Sequence, residues 1–257
     1  MAFTHSATSN VVIPRGKAYF AAFAPGTTIP GPEVYWGNTP GANLTGSVQK
    51  LDHFTADGPV RIKDRSIVTQ VDYKGSLETD NVSDDALARF FLGSSATVTD
   101  AGATITAEDH DAVPADAVVQ LGISATRPAG ARKVSAVTIK DGVTTKTLGT
   151  HYALDAATGR VHCLVAFADF KADYTIDSST RTQVVSSGIQ VRGAMRVMAE
   201  NTEGINRDYY MPSVTLSPNG DLMLKGDGTN WMSLKFDLEV LAKDSATAAI
   251  YVDGVAA

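Results

Sequence analysis

Apolar and polar positions alternate with a period of two through the C-terminal third of the chain. Ile189, Val191, Met195 and Val197 fall on one side, and Gln190, Arg192, Arg196 and Glu200 on the other. Further on, Met232, Leu234, Phe236, Leu238 and Val240 alternate with Ser233, Lys235, Asp237 and Glu239. A period of two marks a strand with one buried face and one wetted face. Between these two strands lie Glu203-Gly204-Ile205-Asn206-Arg207 and the run from Pro212 to Asp221. Their Gly, Pro, Asn and Ser content reads as turns.

Residues 45–55 and 60–79 also read as strands, with Gly58-Pro59 as the turn between them. In the second, Ile67, Thr69, Val71 and Tyr73 alternate with Val68, Gln70, Asp72 and Lys74. One helix is predicted over 83–92. Ser83 is an N-cap, Asp84 and Asp85 suit the positive end of the helix dipole, and Gly93 supplies the stop. Leu87, Phe90 and Phe91 make its apolar stripe and are the expected packing residues. A helix this short cannot stand alone, so a sheet must hold it.

Residues 95–180 have a different flavour. Strands are expected at 117–125, 134–140, 160–167 and 172–177, with turns at Asp141-Gly142 and Asp155–Gly159. This block reads as a β-rich insertion. It separates a first part of the main β domain (46–94) from a second part with the C-terminal tail (181–257). Residues 1–45 are broken by Pro and Gly and read as an extended arm. Its aromatic residues Tyr19, Phe20, Phe23, Tyr35 and Trp36 are candidates for docking on a neighbouring subunit.

The chain of 257 residues can bury a core without disulfides. Its single cysteine, Cys163, lies in an apolar run and reads as a small core residue in a reducing compartment. No basic stretch precedes an apolar run at the N-terminus, so no signal peptide is expected. No window has the ~18 apolar residues of a membrane span. The formal net charge of −6 argues against tight nucleic-acid binding, which needs clustered cations.

Candidate chemistry is sparse. Arg15-Gly16-Lys17 lacks the glycine and hydroxyl residue of a phosphate loop, since Val11 and Ala18 stand at those positions. Glu108-Asp109-His110-Asp111 reads as a solvated acidic loop in preference to a metal site. Asp227-Gly228-Thr229 reads as a turn, and His53 has no nucleophile context around it. Arg192 and Arg196 share the polar side of one strand, with Lys235, Asp237 and Glu239 on another. These readings point to no enzyme, no metal and no cofactor.

The order of several segments resembles the major tail tube proteins of long-tailed bacteriophages with flexible, non-contractile tails. The resembling pieces begin with Tyr35-Trp36-Gly37-Asn38-Thr39-Pro40, Leu51-Asp52-His53 and Asp57-Gly58-Pro59-Val60-Arg61. Ala88–Gly93, His151–Asp155 and Thr158–Val161 follow, then Glu200–Gly204 and Val214–Leu222. Together they span about residues 30–243. The resemblance implies a β-sandwich or barrel with a flanking helix, made in the host cytoplasm and located in the virion tail. Six copies would form a ring, and stacked rings a conduit for double-stranded DNA. The implied partners are further copies of the chain, the tape measure, terminator and distal tail proteins, and DNA in passage, with no membrane binding. On this reading Gln190, Arg192, Arg196, Lys235, Asp237 and Glu239 are candidates to face the lumen. The alternatives are the tube of a contractile injection or type VI-like secretion machine, and a β-sandwich adhesin or carbohydrate-binding module.

Overall fold

The computed structural model describes residues 11–254, so the first ten residues of the expected arm lie outside the described residues. The fold is mainly β, with one helix among the described residues. The chain divides into two compact units, one built from residues up to Ser95 together with Val184 onward, the other from Ala96–Gln183. Both crossings of the chain fall within a ribbon of two paired strands, Ser94–Asp100 and Ser179–Val185.

The first unit holds β1 (Gly16–Ala22), β2 (Val34–Tyr35), β3 (Gly41–Phe54), β4 (Lys63–Thr79) and helix α1 (Asp84–Phe90). In the ribbon, β5 is Ser94–Asp100. The second unit holds β6 (Ala103–Asp109), β7 (Val118–Gln120), β8 (Val134–Asp141), β9 (Thr144–Thr145), β10 (Tyr152–Asp155), β11 (Arg160–Cys163) and β12 (Phe170–Ile176). After β13 (Ser179–Val185), the first unit resumes with β14 (Val191–Ala199), β15 (Arg207–Pro218), β16 (Leu234–Val240) and β17 (Tyr251–Gly254).

In the first unit, one eight-stranded sheet runs β2-β1-β14-β15-β16-β4-β3, and β17 pairs with β15 beyond the end of β16. Its neighbouring strands are antiparallel. Pairing aligns Phe20 with Met195, Val214 with Val240, Leu216 with Leu238, and Phe236 with Leu77. These side chains make one apolar face, which forms the core with Trp36, Ala86 and the partly buried Leu87 and Phe90. Trp36 packs edge-on against Phe20 at 5.6 Å and Phe236 at 5.4 Å, and Phe90 meets Phe236 at 6.0 Å. The layer over the sheet is therefore α1 with the loop carrying Trp36.

Three local expectations are corrected. The stretch between the two alternating strands is not all turn: it contains β15, a twelve-residue strand. Residues 211–216 are buried in succession, so no alternation announces the strand. Pro212 and Ser213 sit where the register with β14 shifts between Gly193 and Met195, which tolerates a proline that cannot donate to the ladder. The helix is shorter than 83–92. Ser83 caps it by accepting the Ala86 N–H at 3.2 Å, and Phe91 is its C-cap. Leu92 supplies the left-handed residue at φ 49°, whereas Gly93 is required for close approach: a Cβ there would lie 1.8 Å from the Val185 carbonyl oxygen. Finally, β3 and β4 slip register at Thr69, so Ile67 and Val71 point to opposite faces.

The second unit has a four-stranded sheet, β6-β12-β8-β9, and a three-stranded sheet, β10-β11-β7. Side chains from both share one core, including Leu121, Ile139, Val161, Cys163, Phe170 and Tyr174.

Candidate channel and assembly surfaces

The polar face of the large sheet gathers most of the residues expected at a lumen. Cross-strand pairing sets Arg192 beside Thr215, Thr215 beside Glu239, and Glu239 beside Lys74. One row away, Asp237 stands opposite Ser217 and Ser76, and Lys235 opposite Glu78. Arg196 lies on the same face between Tyr19 and Tyr210. Gln190 precedes β14 and is exposed outside the sheet.

Arg196, Lys235 and Glu239 on this face each have a counter-charge, while Asp237 is held by a neutral amide. Arg196 donates to Glu33 at 2.8 Å and to Asp208, and its guanidinium stacks 4.5 Å from the Tyr210 ring centre. Bonding to Glu33 and then to Asp208 raises its pKa further. Lys74 lies 3.4 Å from Glu239, Lys235 lies 3.7 Å from Glu78, and Asn219 donates to Asp237 at 2.6 Å. Among the described residues, Arg192 alone of the six lumen candidates is a cation with no acidic partner within salt-bridge distance. Exposed pairs of this kind add little stability. They do flatten the potential, which leaves a face with weak net attraction for phosphate.

The expected inter-subunit arm is largely corrected. β1 is an interior strand of the sheet, between β2 and β14. Phe20 and Trp36 are core residues, and Trp36 is only 4% exposed. Tyr19 and Phe23 are half-buried, and Phe23 forms a bridge to Pro30. Of the five aromatic candidates, only Tyr35 is well exposed. The reason is local: Gly16–Ala22 carries a short unbroken apolar run from Ala18 to Ala22 that has no period of two, and the proline-rich flanks conceal it.

The helix residues also separate. Leu87 and Phe90 pack on the core, but Phe91 is 41% exposed. The fully buried helix residues are Ala86 and Ala88.

The β3–β4 hairpin is the surface that the sequence reading missed. Its near half joins the sheet, where Leu77 and Thr79 are buried. From Val48 to Phe54 and from Lys63 to Val71 every residue is exposed. The register puts Val48 beside Val71, and on the opposite face Leu51 beside Ile67. At the tip, Thr55 N–H bonds to the Ile62 carbonyl at 2.8 Å, and Arg61 stacks 5.2 Å from the Phe54 ring centre. Val60 and Ile62 project from this ordered tip, both highly exposed. The one available signal was apolar residues at both parities, as in Ile67-Val68.

In the second unit, the acidic run is not a solvated loop. Glu108 is held by His110 at 3.0 Å, by the Gly122 N–H at 2.9 Å and by the Tyr174 hydroxyl. Burial alone would raise this carboxyl, but the bonds from His110, Tyr174 and Gly122 outweigh it and hold the pKa below its ordinary value. Burial, reinforced by Glu108, pushes Tyr174 up. Asp100 receives a two-pronged bond from Arg127, at 2.7 and 2.9 Å, which holds its pKa at about 2. All these groups are satisfied by one another, so the cluster locks loops together. Among the described residues, no group of three or more His, Cys, Asp or Glu could hold a metal. Desolvation pushes the buried Cys163 thiol up, away from reactivity.

A family model described as "Protein of unknown function UCP028589" matches residues 12–250, and the chain belongs to that family. No curated protein matches the chain.

Proposed function

We propose that this protein is a structural subunit of a phage tail tube, without an active site. Copies associate into rings, six per ring by the family resemblance, and the rings stack into a conduit for double-stranded DNA. The observation that carries the reading is the β3–β4 hairpin, which is exposed on both faces and bears apolar cross-strand pairs. An exposed two-stranded apolar ribbon is an aggregation hazard unless protein covers it. The polar face, where cations and carboxylates are interspersed and Arg196, Lys235 and Glu239 are paired, supports the second half of the reading. On it, Arg192, Arg196, Lys235, Asp237 and Glu239 line the channel, and DNA slides past a wall that does not trap it.

Concentrated purified protein examined by negative-stain microscopy tests this. Rings or tubes with a central hole are expected, and a monomer at every concentration would overturn the proposal. One observation favours a rival. Trp231 stands 92% exposed on a loop, as a carbohydrate-binding module would require. The rival demands a stable monomer that loses sugar binding on Trp231→Ala.

A further inference from the structure

We infer that Asn219 is a site of spontaneous covalent modification. The backbone nitrogen of Gly220 closes on its side-chain amide, ammonia leaves, and water opens the resulting ring to aspartate and isoaspartate.

The chain supplies the reacting pair once. It has eight asparagines, and only Asn219 is followed by glycine; the others precede Val, Thr, Leu, Arg or Trp. A side chain on the following residue crowds that residue's nitrogen, and glycine has none. The fold requires this glycine for a separate reason. Gly220 lies just past the end of β15 at φ +80°, in the left-handed region that a Cβ disfavours. The turn thus sets the least hindered backbone nitrogen beside an amide.

The surroundings leave that nitrogen free. Asn219 and Gly220 are both exposed, and a Cβ built on Gly220 would meet nothing within 4 Å. The Gly220 N–H donates to no group among the described residues. Asp141-Gly142, where the same ring would form, is the contrast. There the Gly142 N–H is bound to the Asp169 carbonyl at 2.7 Å, and the Asp141 carboxylate accepts the Ala168 and Asp169 N–H groups, each at 3.0 Å. Both reacting groups are tied. At Asn219 only the side chain is held, by the bond from Nδ2 to Asp237 at 2.6 Å. One hydrogen bond to a charged group slows release by roughly ten- to a hundredfold. It delays the reaction without preventing it, because nucleophile and amide stay adjacent in one chain.

The step balances with water as the sole co-reactant. The Gly220 nitrogen bonds to Asn219 Cγ, the Cγ–Nδ2 bond breaks, and the Gly220 amide proton leaves with Nδ2 as ammonia. Water then opens the imide at either carbonyl. Opening at Cγ gives aspartate, and opening at the backbone carbonyl gives isoaspartate, with the chain running through the former side chain. Either product replaces the donor to Asp237 by a second carboxylate. Isoaspartate also lengthens the backbone where the Asn219 N–H bonds to the Lys235 carbonyl at 2.9 Å. The site stands by itself; resting on the tube reading, each modified copy adds negative charge beside Asp237 on the face assigned to the channel.

Holding the full chain at physiological temperature in mildly alkaline, heavy-oxygen water tests this. Peptide mapping by mass spectrometry and a methyl-acceptor assay for isoaspartate read the products. Modification at position 219 should run roughly tenfold or more ahead of that at the other asparagines. The products should include isoaspartate beside aspartate, each carrying heavy oxygen. Asn219→Gln, which would need a larger ring, and Gly220→Ala, which crowds the nitrogen, should each slow the change roughly tenfold or more. Thermal unfolding checks that both variants fold. Faster modification at another asparagine, aspartate without isoaspartate, or an unchanged rate in Gly220→Ala overturns the inference. So does modification at position 219 that occurs only in urea. The readout is a covalent product in unassembled protein, so the two readings fail separately. Particles without a central hole leave the site standing, and an inert Asn219 leaves the tube.

Discussion

Phe90→Ala and Phe91→Ala should have clearly different costs, although the two residues are adjacent on one short helix. Phe90 packs in the core, edge-on to Phe236 at 6.0 Å and 80°. Truncating a fully buried phenylalanine costs about 3–5 kcal/mol. Phe90 retains some exposure, so a cost of about 2–3 kcal/mol is expected. Phe91 sits at the C-cap, 41% exposed, and its main aromatic partner is Phe90 itself at 5.7 Å. Its truncation should cost about 1 kcal/mol or less. A double-mutant cycle of Phe90 with Phe236 should show a coupling of about 0.5–1.5 kcal/mol from the edge-to-face pair.

The molecule provides its own reporters for this measurement. Both tryptophans, Trp36 and Trp231, belong to the first unit. Trp36 is buried in the core beneath α1 and Trp231 is already in water, so the fluorescence change on unfolding follows the first unit. The only cysteine, Cys163, is wholly buried in the second unit, so its reaction with a thiol reagent follows that unit alone. In guanidinium titrations, Phe90→Ala should lower the fluorescence midpoint and leave the Cys163 midpoint in place. Equal costs at the two positions, or a larger cost for Phe91→Ala, would refute this packing of the helix.

Replacing Asp237 and Glu239 by Lys should leave unfolding within about 0.5 kcal/mol per site, because both are exposed strand positions. It should also raise salt-sensitive DNA binding by assembled protein, since Lys74 loses its counter-charge; retention assays across a salt series read this. Asp100 has a folded pKa of about 2 against an ordinary value of 3.8, so it stabilises the second unit above pH ~4, and that contribution is lost as pH falls through ~2. Asp100→Asn should lower stability at neutral pH and flatten the loss between pH ~4 and ~2, as measured by near-ultraviolet circular dichroism of Tyr152 and Tyr174.

The cleanest alternation in the sequence belongs to a strand with one wet face. Leu234–Val240 shows the alternation in its exposures residue by residue, because its neighbours cover one side only. β15 was illegible for the opposite reason. Its central residues are buried on both sides, which erases the period, and Pro212 at the register shift imitates a turn. In β4, a slip at Thr69 reverses the faces of the residues from Val68 to Arg65, a second slip follows at Asp64, and no residue type signals either. β1 was hidden by the prolines and glycines that flank it. Residues of the sheet's polar face were legible where alternation was clean, as with Lys235, Asp237 and Glu239. Gln190 lies off that face because the strand starts one residue later. Trp231 and the hairpin tip left only the weak signal of large apolar side chains in polar loops.

The hairpin also explains why its apolar content does not produce indiscriminate aggregation. A two-stranded ribbon is marginal in water by itself. Beyond Val71 the core contributes nothing to this one, so its order depends on cross-strand pairs. Those pairs interleave two chemistries. Val48–Val71 and Leu51–Ile67 are apolar, while Asp52 takes a bond from Ser66 and pairs with Lys63 at 2.7 Å. His53 meets Asp64 at 2.6 Å, and Arg61 covers Phe54. A stranger strand that added to this edge in an arbitrary register would bury some of these charges without partners, which is costly. The alternation of apolar and charged pairs therefore penalises wrong partners along the ribbon, and only Val60 and Ile62 at the tip stand clear of the ion pairs.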